Sequence, residues 1–106
     1  MGVAPNAIDI DPRDMETLLS LLERHLPQTA AWAYGSRVAR HATPQSDLDI
    51  VVFSDAGQKR QVSLLKEALE ESNLPFRVDL LEWDSMPDNF KARILASPAA
   101  VLAEAK

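Results

Sequence analysis

The sequence contains no cysteine, and this absence removes several classes of site at once. Disulfides, thiolate metal sites and cysteine nucleophiles are all excluded. Only two histidines are present, His25 and His41, which is too few for a histidine-based zinc site. No apolar run approaches membrane-spanning length, and the N-terminus lacks the basic and apolar regions of a signal peptide. We therefore expect a cytoplasmic protein with no membrane partner.

Positive charge is also scarce. Eleven Lys and Arg residues against sixteen Asp and Glu residues give a net charge of −5. This balance argues against nucleic-acid binding through a general basic surface. A length of 106 residues, of which 46% are hydrophobic, predicts a single domain over 1–106 with one modest core. Residues 1–10 are expected to be a flexible lead-in.

Apolar periodicity and turn residues predict helices that alternate with strands. The tail from Pro98 onward gives no clear prediction. The order α-β-(α)-β-α-β-α predicts an α/β (α+β) fold, in which helices flank a small mixed sheet of about three strands. Helices are predicted over 12–26, 37–40, 58–72 and 84–96, and strands over 30–34, 47–53 and 76–83.

Two aspartates, Asp47 and Asp49, follow the pair Gly35-Ser36 by ten residues and begin an apolar strand. Such carboxylates repel each other and lose hydration unless a cation compensates. Side chains alternate along a strand, so Asp47 and Asp49 share a face, and Asp79 is a single acid between apolar residues on the next strand. If these strands are neighbours, the three carboxylates converge and can hold two Mg²⁺ ions about 4 Å apart. Asp47 and Asp49 would bind the nucleotide-bound ion, and Asp79 the second.

The residues before the aspartates suit a phosphate chain. Glycine at position 35 allows close backbone approach, and Ser36 offers a hydroxyl beside exposed N–H groups. Arg37 and Arg40 can neutralise phosphate charge. Taken singly, each residue also has a plain structural interpretation. Asp47 can cap the turn before its strand, and both arginines can be solvated surface charges.

The motif Gly35-Ser36, ten residues, Asp47-Leu48-Asp49, with Asp79 on a later strand, is typical of a known family. The chain resembles the minimal nucleotidyltransferases (MNT domains) of the DNA polymerase beta superfamily over about residues 12–100. In place of the family's usual glycine followed by a small or polar residue, this chain has Arg40-His41. The resemblance implies an enzyme that transfers a nucleoside monophosphate from an NTP to an acceptor with Mg²⁺, and ATP is the expected NTP.

The resemblance also implies residue roles and a partner. It assigns a helical HEPN-type or other substrate-binding chain as partner, and some family members are antitoxins that adenylylate this partner. Two alternatives remain open: a catalytically weak module that acts by binding its partner, and a Mg²⁺-dependent phosphohydrolase. The implied catalytic and metal-binding residues are Asp47, Asp49 and Asp79, and the implied nucleotide-binding residues are Gly35, Ser36 and Arg37. An apolar partner surface is predicted from Phe90, Ile94, Leu95, Val101 and Leu102.

Overall fold

The structure, a computed structural model, describes residues 2–3, 8, 10–35, 46–97 and 99–105. The predicted helices and strands that fall within these ranges are confirmed to within a few residues, and the predicted helix over 37–40 lies outside them. Short 3₁₀ helices at Ala56–Gln58 and Trp83–Ser85 precede the last two α-helices. The elements are β1 (Gly2–Val3), α1 (Pro12–His25), β2 (Ala31–Tyr34), β3 (Leu48–Val52), α2 (Lys59–Glu71), β4 (Val78–Glu82), α3 (Asp88–Ala96) and β5 (Ala99–Ala103).

The strands form one mixed sheet in the order β1-β5-β2-β3-β4. Strands β3 and β4 are parallel and joined through α2, whereas β2 runs antiparallel to both β3 and β5. The predicted α/β fold is confirmed, but the predicted number of about three strands is too low. The tail supplies β5, whose alanine-rich sequence carries no alternation that would indicate a strand. Residues 2–3, which were assigned to a flexible lead-in, pair with the start of β5 as β1.

Helices α1 and α2 cover one face of the sheet. Asp11 caps α1 by accepting a hydrogen bond from the Arg13 N–H at 2.9 Å, and Pro12 occupies the first helical position. Apolar side chains at helical spacing then point into the core, with Leu18 and Leu65 fully buried. The core on this face also includes Leu22, Val62, Leu69, Leu48, Ile50, Val52 and Leu80. None of the helices in the described ranges is long and apolar enough to cross a membrane.

Helix α3 covers part of the opposite face through Ile94, which is only 2% exposed. Farther along this face the rings of Trp32 and Phe53 meet edge-on, with their centroids 4.8 Å apart. The predicted apolar partner surface is wrong for two of its five members and stays a prediction for the others, of which Phe90 and Val101 are half-buried. Ile94 and Leu102 are buried, and Leu95 remains 57% exposed.

Candidate active site

A row of three polar side chains crosses the sheet on the α3 side. Tyr34 of β2 is the cross-strand partner of Asp49 of β3, and Asp49 is in register with Asp79 of β4. Neighbouring strands lie about 4.8 Å apart and paired residues point to the same face, so the two carboxylates are side by side. Tyr34 is buried, whereas Asp49 and Asp79 are half-buried. The structure thus brings together two acids that the sequence analysis placed on separate strands.

Gly35 ends β2 directly beside this row. Its φ of +84° lies in the left-handed region, which glycine adopts without steric penalty. A Cβ atom at position 35 would overlap the Asp49 Oδ2 atom and lie 3.3 Å from Asp49 Cγ. Glycine is therefore required here by both backbone conformation and space.

The electrostatics of the row disfavour negative charge. Burial, then the charges of Asp79 and Asp47, raise the pKa of Asp49 above its usual range. The same burial, followed by the charges of Asp49 and Asp79, raises the pKa of Tyr34 to about 12, so its phenol stays protonated. Within the described ranges, no lysine or arginine nitrogen lies within 4.0 Å of the Asp49 or Asp79 carboxylate. The ion pair recorded in these ranges lies outside the row and joins Lys59 to Glu82 at 3.9 Å. This arrangement favours an added cation.

Asp47 lies apart from the other two acids. It precedes the first residue of β3 and is exposed. Two residues of strand separate its Cα from that of Asp49, about 6.6 Å at 3.3 Å per residue. Among the described residues, no three His, Cys, Asp or Glu side chains are placed to hold one ion. In the described part of the chain, the expected convergence of three carboxylates is thus not a preformed cage.

The oxygen-only donor set nevertheless fits Mg²⁺. This ion is bound in proteins by one or two carboxylates, with substrate phosphates and water completing its coordination. Asp49 and Asp79 supply such a pair, and Asp47 supplies a further carboxylate at the open end of β3. The raised pKa of Asp49 is the observation that supports the fit, because a bound cation would offset its causes, which are burial first and then the charges of Asp79 and Asp47.

A cleft of about 310 Å³ opens over the acid pair. Its floor is the polar row with Gly35, and its wall is α3 with its C-cap residue, to which Phe90, Arg93 and Ser97 belong. A larger cleft of about 470 Å³ lies between α2 and β4 and includes Asp79 but not Asp49. We regard the smaller cleft as the site, because it contains both acids and the glycine that the sequence singled out.

Three predicted or candidate phosphate contacts, Ser36, Arg37 and Arg40, lie outside the described residues. Sequence reasoning overlooked two other residues of the cleft. Tyr34 had the pattern of a core aromatic on a strand, although its place beside the Gly35 turn was a usable signal. No pattern in the sequence indicated Arg93, because its presence in the cleft depends on how α3 packs across the sheet.

Comparison with known proteins places this chain in a family. The family model for the nucleotidyltransferase domain of polymerase beta matches residues 16–105. The probable protein adenylyltransferase MntA of Haemophilus influenzae is 36% identical over 85 residues, which cover 79% of this chain and 75% of the relative. These two matches confirm the family resemblance that the Gly-Ser and Asp-x-Asp motifs indicated.

Solved structures show the same fold. A toxin–antitoxin complex crystallised with AMP-PNP has a chain that superposes with a TM-score of 0.60 at 19% identity, over 87% of this chain and 74% of that one. A complex of the tri-AMPylated Shewanella oneidensis HEPN toxin with its MNT antitoxin gives 0.51 at 16% identity, over 87% and 71%. The fold, the matched family model and the relative agree, and the chain belongs to the polymerase beta nucleotidyltransferase family.

Proposed function

We propose that this nucleotidyltransferase uses Mg²⁺ and ATP to transfer AMP to a hydroxyl group of a helical HEPN-type partner protein in the cytoplasm. The whole chain acts as one catalytic domain, and the partner supplies the acceptor. The observation that carries the proposal is the register that sets Asp49 beside Asp79 next to the glycine turn. The relative that is a probable protein adenylyltransferase supports AMP as the transferred group and a protein as the acceptor.

Each site residue has a role in this reaction. Asp47 and Asp49 would hold the metal that accompanies the triphosphate, and Asp79 would help to hold a second ion beside the acceptor. Bound Mg²⁺ would neutralise the paired acids and stabilise the charge that develops on the transferring phosphoryl group. The Gly35-Ser36 turn would let the triphosphate approach backbone N–H groups, and Arg37 would neutralise part of its charge.

The transfer itself is an in-line displacement at the α-phosphorus of ATP. The acceptor oxygen forms a bond to this phosphorus while the bond to the α,β-bridging oxygen breaks, and its electron pair leaves with pyrophosphate. The acceptor proton passes to the Asp79 carboxylate and from there to water. Tyr34 is a neutral phenol at physiological pH, and its raised pKa keeps it neutral beside the acids well above that pH, so it can donate a hydrogen bond in the cleft but adds no charge.

The test is transfer of label from α-³²P-ATP to the partner, followed by mass spectrometry of the partner for added AMP. Asp49→Asn and Asp79→Asn should abolish transfer, because each removes one ligand charge at nearly constant volume. Asp84→Asn is the matched control, since Asp84 is an exposed acid in the 3₁₀ turn after β4 and does not line the cleft.

The outcomes separate the alternatives. Label on the partner that depends on both acids supports the proposal. Free AMP without a labelled partner would instead indicate a phosphohydrolase. A stable complex with the partner, with no label and no nucleotide binding, would indicate a module that acts by binding alone.

A further inference from the structure

Among the described residues that line the cleft, one is cationic and is not used by the reaction described above. Arg93, in the last turn of α3, lines the cleft together with Asp49 and Asp79. Among the described residues, its guanidinium has no carboxylate within 4.0 Å. A cation that shares a cleft with two acids yet pairs with neither leaves room between the opposite charges for a bound group.

The backbone around Arg93 is held in place from both sides. Ile94 is only 2% exposed and anchors α3 on the sheet. The Ser97 hydroxyl donates a hydrogen bond to the Arg93 carbonyl at 2.7 Å, and the Ser97 N–H donates to the Ile94 carbonyl at 3.1 Å. These contacts close the end of the helix, so the position of Arg93 over the acid pair is set by the fold.

The side chain of Arg93 is also oriented. Its guanidinium carbon lies 5.7 Å from the centroid of the Phe90 ring, one helical turn earlier, within the range of a cation–π contact. Phe90 lines the same cleft. The ring therefore favours rotamers in which the guanidinium stays at the cleft wall, although Arg93 itself is exposed.

We propose that Arg93 binds the triphosphate of the nucleotide from the side opposite the acids, contacting the phosphates that leave as pyrophosphate. This inference rests on the proposed function. ATP remains net negative after binding one Mg²⁺, and guanidinium is the side-chain group whose planar fork best matches phosphate oxygens. The acids then bind the phosphate chain through a cation on one side of the cleft. Arg93 binds it directly on the other side. Arg93 stabilises the charge that accumulates on pyrophosphate as the bond to the α-phosphorus breaks.

The first experiment measures binding without a partner. A non-hydrolysable ATP analogue with Mg²⁺ is titrated into the native protein, Arg93→Gln, Arg93→Lys and Lys91→Gln. Lys91→Gln is the matched control, because it removes the same charge from the same helix. Lys91 lies 5.4 Å from the centroid of the Trp83 ring and does not line the cleft. Arg93→Gln should weaken binding about 10- to 100-fold, Arg93→Lys by less, and Lys91→Gln by less than about twofold.

The result has three readings. Equal affinity for the native protein and Arg93→Gln would overturn the role of Arg93 and leave the proposed function standing. Equal losses in Arg93→Gln and Lys91→Gln would also overturn it, because they would show a general charge effect. Failure of the native protein to bind the analogue would overturn the proposed function and this inference with it.

The second experiment uses steady-state transfer to the partner to distinguish the nucleotide from the acceptor. Arg93→Gln should raise KM for ATP and lower kcat, with KM for the partner unchanged. A raised KM for the partner at unchanged KM for ATP would show that Arg93 binds the acceptor and would refute the proposal. Phe90→Leu should weaken analogue binding only about 2- to 5-fold, and should have no further effect in the Arg93→Gln background if it acts by positioning the arginine.

Discussion

Replacing Gly35 with alanine is expected to damage both the fold and the site, because two separate penalties meet at this position. The φ of +84° is unfavourable for alanine by roughly 1–2 kcal/mol. The new Cβ would also overlap the Asp49 carboxylate, which must leave its rotamer at a cost of about 0.5–1.5 kcal/mol. Reduced freedom of the unfolded chain offsets about 0.4–1 kcal/mol of this.

The net loss of stability for Gly35→Ala is therefore about 0.5–3 kcal/mol, which corresponds to a fall in Tm on the order of 2–24 °C for a domain of this size. Urea denaturation and thermal melts measure this loss. Gly57→Ala is the control, because position 57 has no positive φ and its added Cβ would lie 3.2 Å from the exposed Asp55 carboxylate. That contact is tight but can be relieved by a small movement of Asp55, so Tm should change little.

A double-mutant cycle separates the two penalties. In an Asp49→Ala background the steric overlap is gone, so Gly35→Ala should cost about 0.5–1.5 kcal/mol less than in the native protein. An equal cost in both backgrounds would show that Gly35 and Asp49 are not in contact, and would refute the geometry of the site. No cost in either background would refute the left-handed conformation of Gly35.

Three further predictions concern the charges of the cleft. Without metal, Asp49→Asn should be more stable than the native protein at pH 7. Because the folded pKa of Asp49 is raised, the stability it contributes is present below its unfolded pKa and is lost as pH rises through its folded pKa. The advantage of Asn should therefore vanish toward pH 4, and denaturant melts at several pH values would show a constant difference if this reasoning is wrong. Absorbance titration of the single tyrosine should have its midpoint near pH 12, against about 10 in denaturant. Asp49→Asn should lower the midpoint of the folded protein, because it removes one of the charges that raise the pKa of Tyr34. A midpoint near 10 in the native protein would contradict the burial of Tyr34 beside the acids. Mg²⁺ and ATP together should raise Tm more than the sum of their separate effects, since ligand that binds only the folded state stabilises it by mass action, and the Asp49→Asn protein should show no such shift.

Much of this fold was predictable from the sequence because its helices and inner strands carry clear periodicity. The Asp11-Pro12 start of α1 and the apolar stripe of α2 place those elements to within a residue or two. Strand β5 was not predictable, because its run of alanines favours helix on intrinsic propensity and becomes a strand only by pairing with β2. Local sequence cannot indicate such pairing.

The candidate site, like the fold, was only partly predictable from the sequence. Parity along β3 predicts which face carries Asp49, and a single acid on an apolar strand singles out Asp79. The register that makes them neighbours depends on the length and packing of the α2 crossover, which no local pattern specifies. The cleft wall depends on the packing of α3 across the sheet, so Arg93 could be identified only from the structure.

The features that make this face unfavourable for folding are those that a nucleotidyltransferase needs. The paired acids, which have little hydration and repel each other, lower the free energy of unfolding. The opposite face offsets this cost, because Leu18, Leu65 and Ile50 are fully buried there and none of them lines the cleft. Stability and chemistry therefore occupy opposite faces of one sheet. Substitutions in the α1 and α2 face should alter Tm with little effect on nucleotide affinity, and substitutions in the row from Tyr34 to Asp79 should change nucleotide affinity far more than their effect on Tm explains.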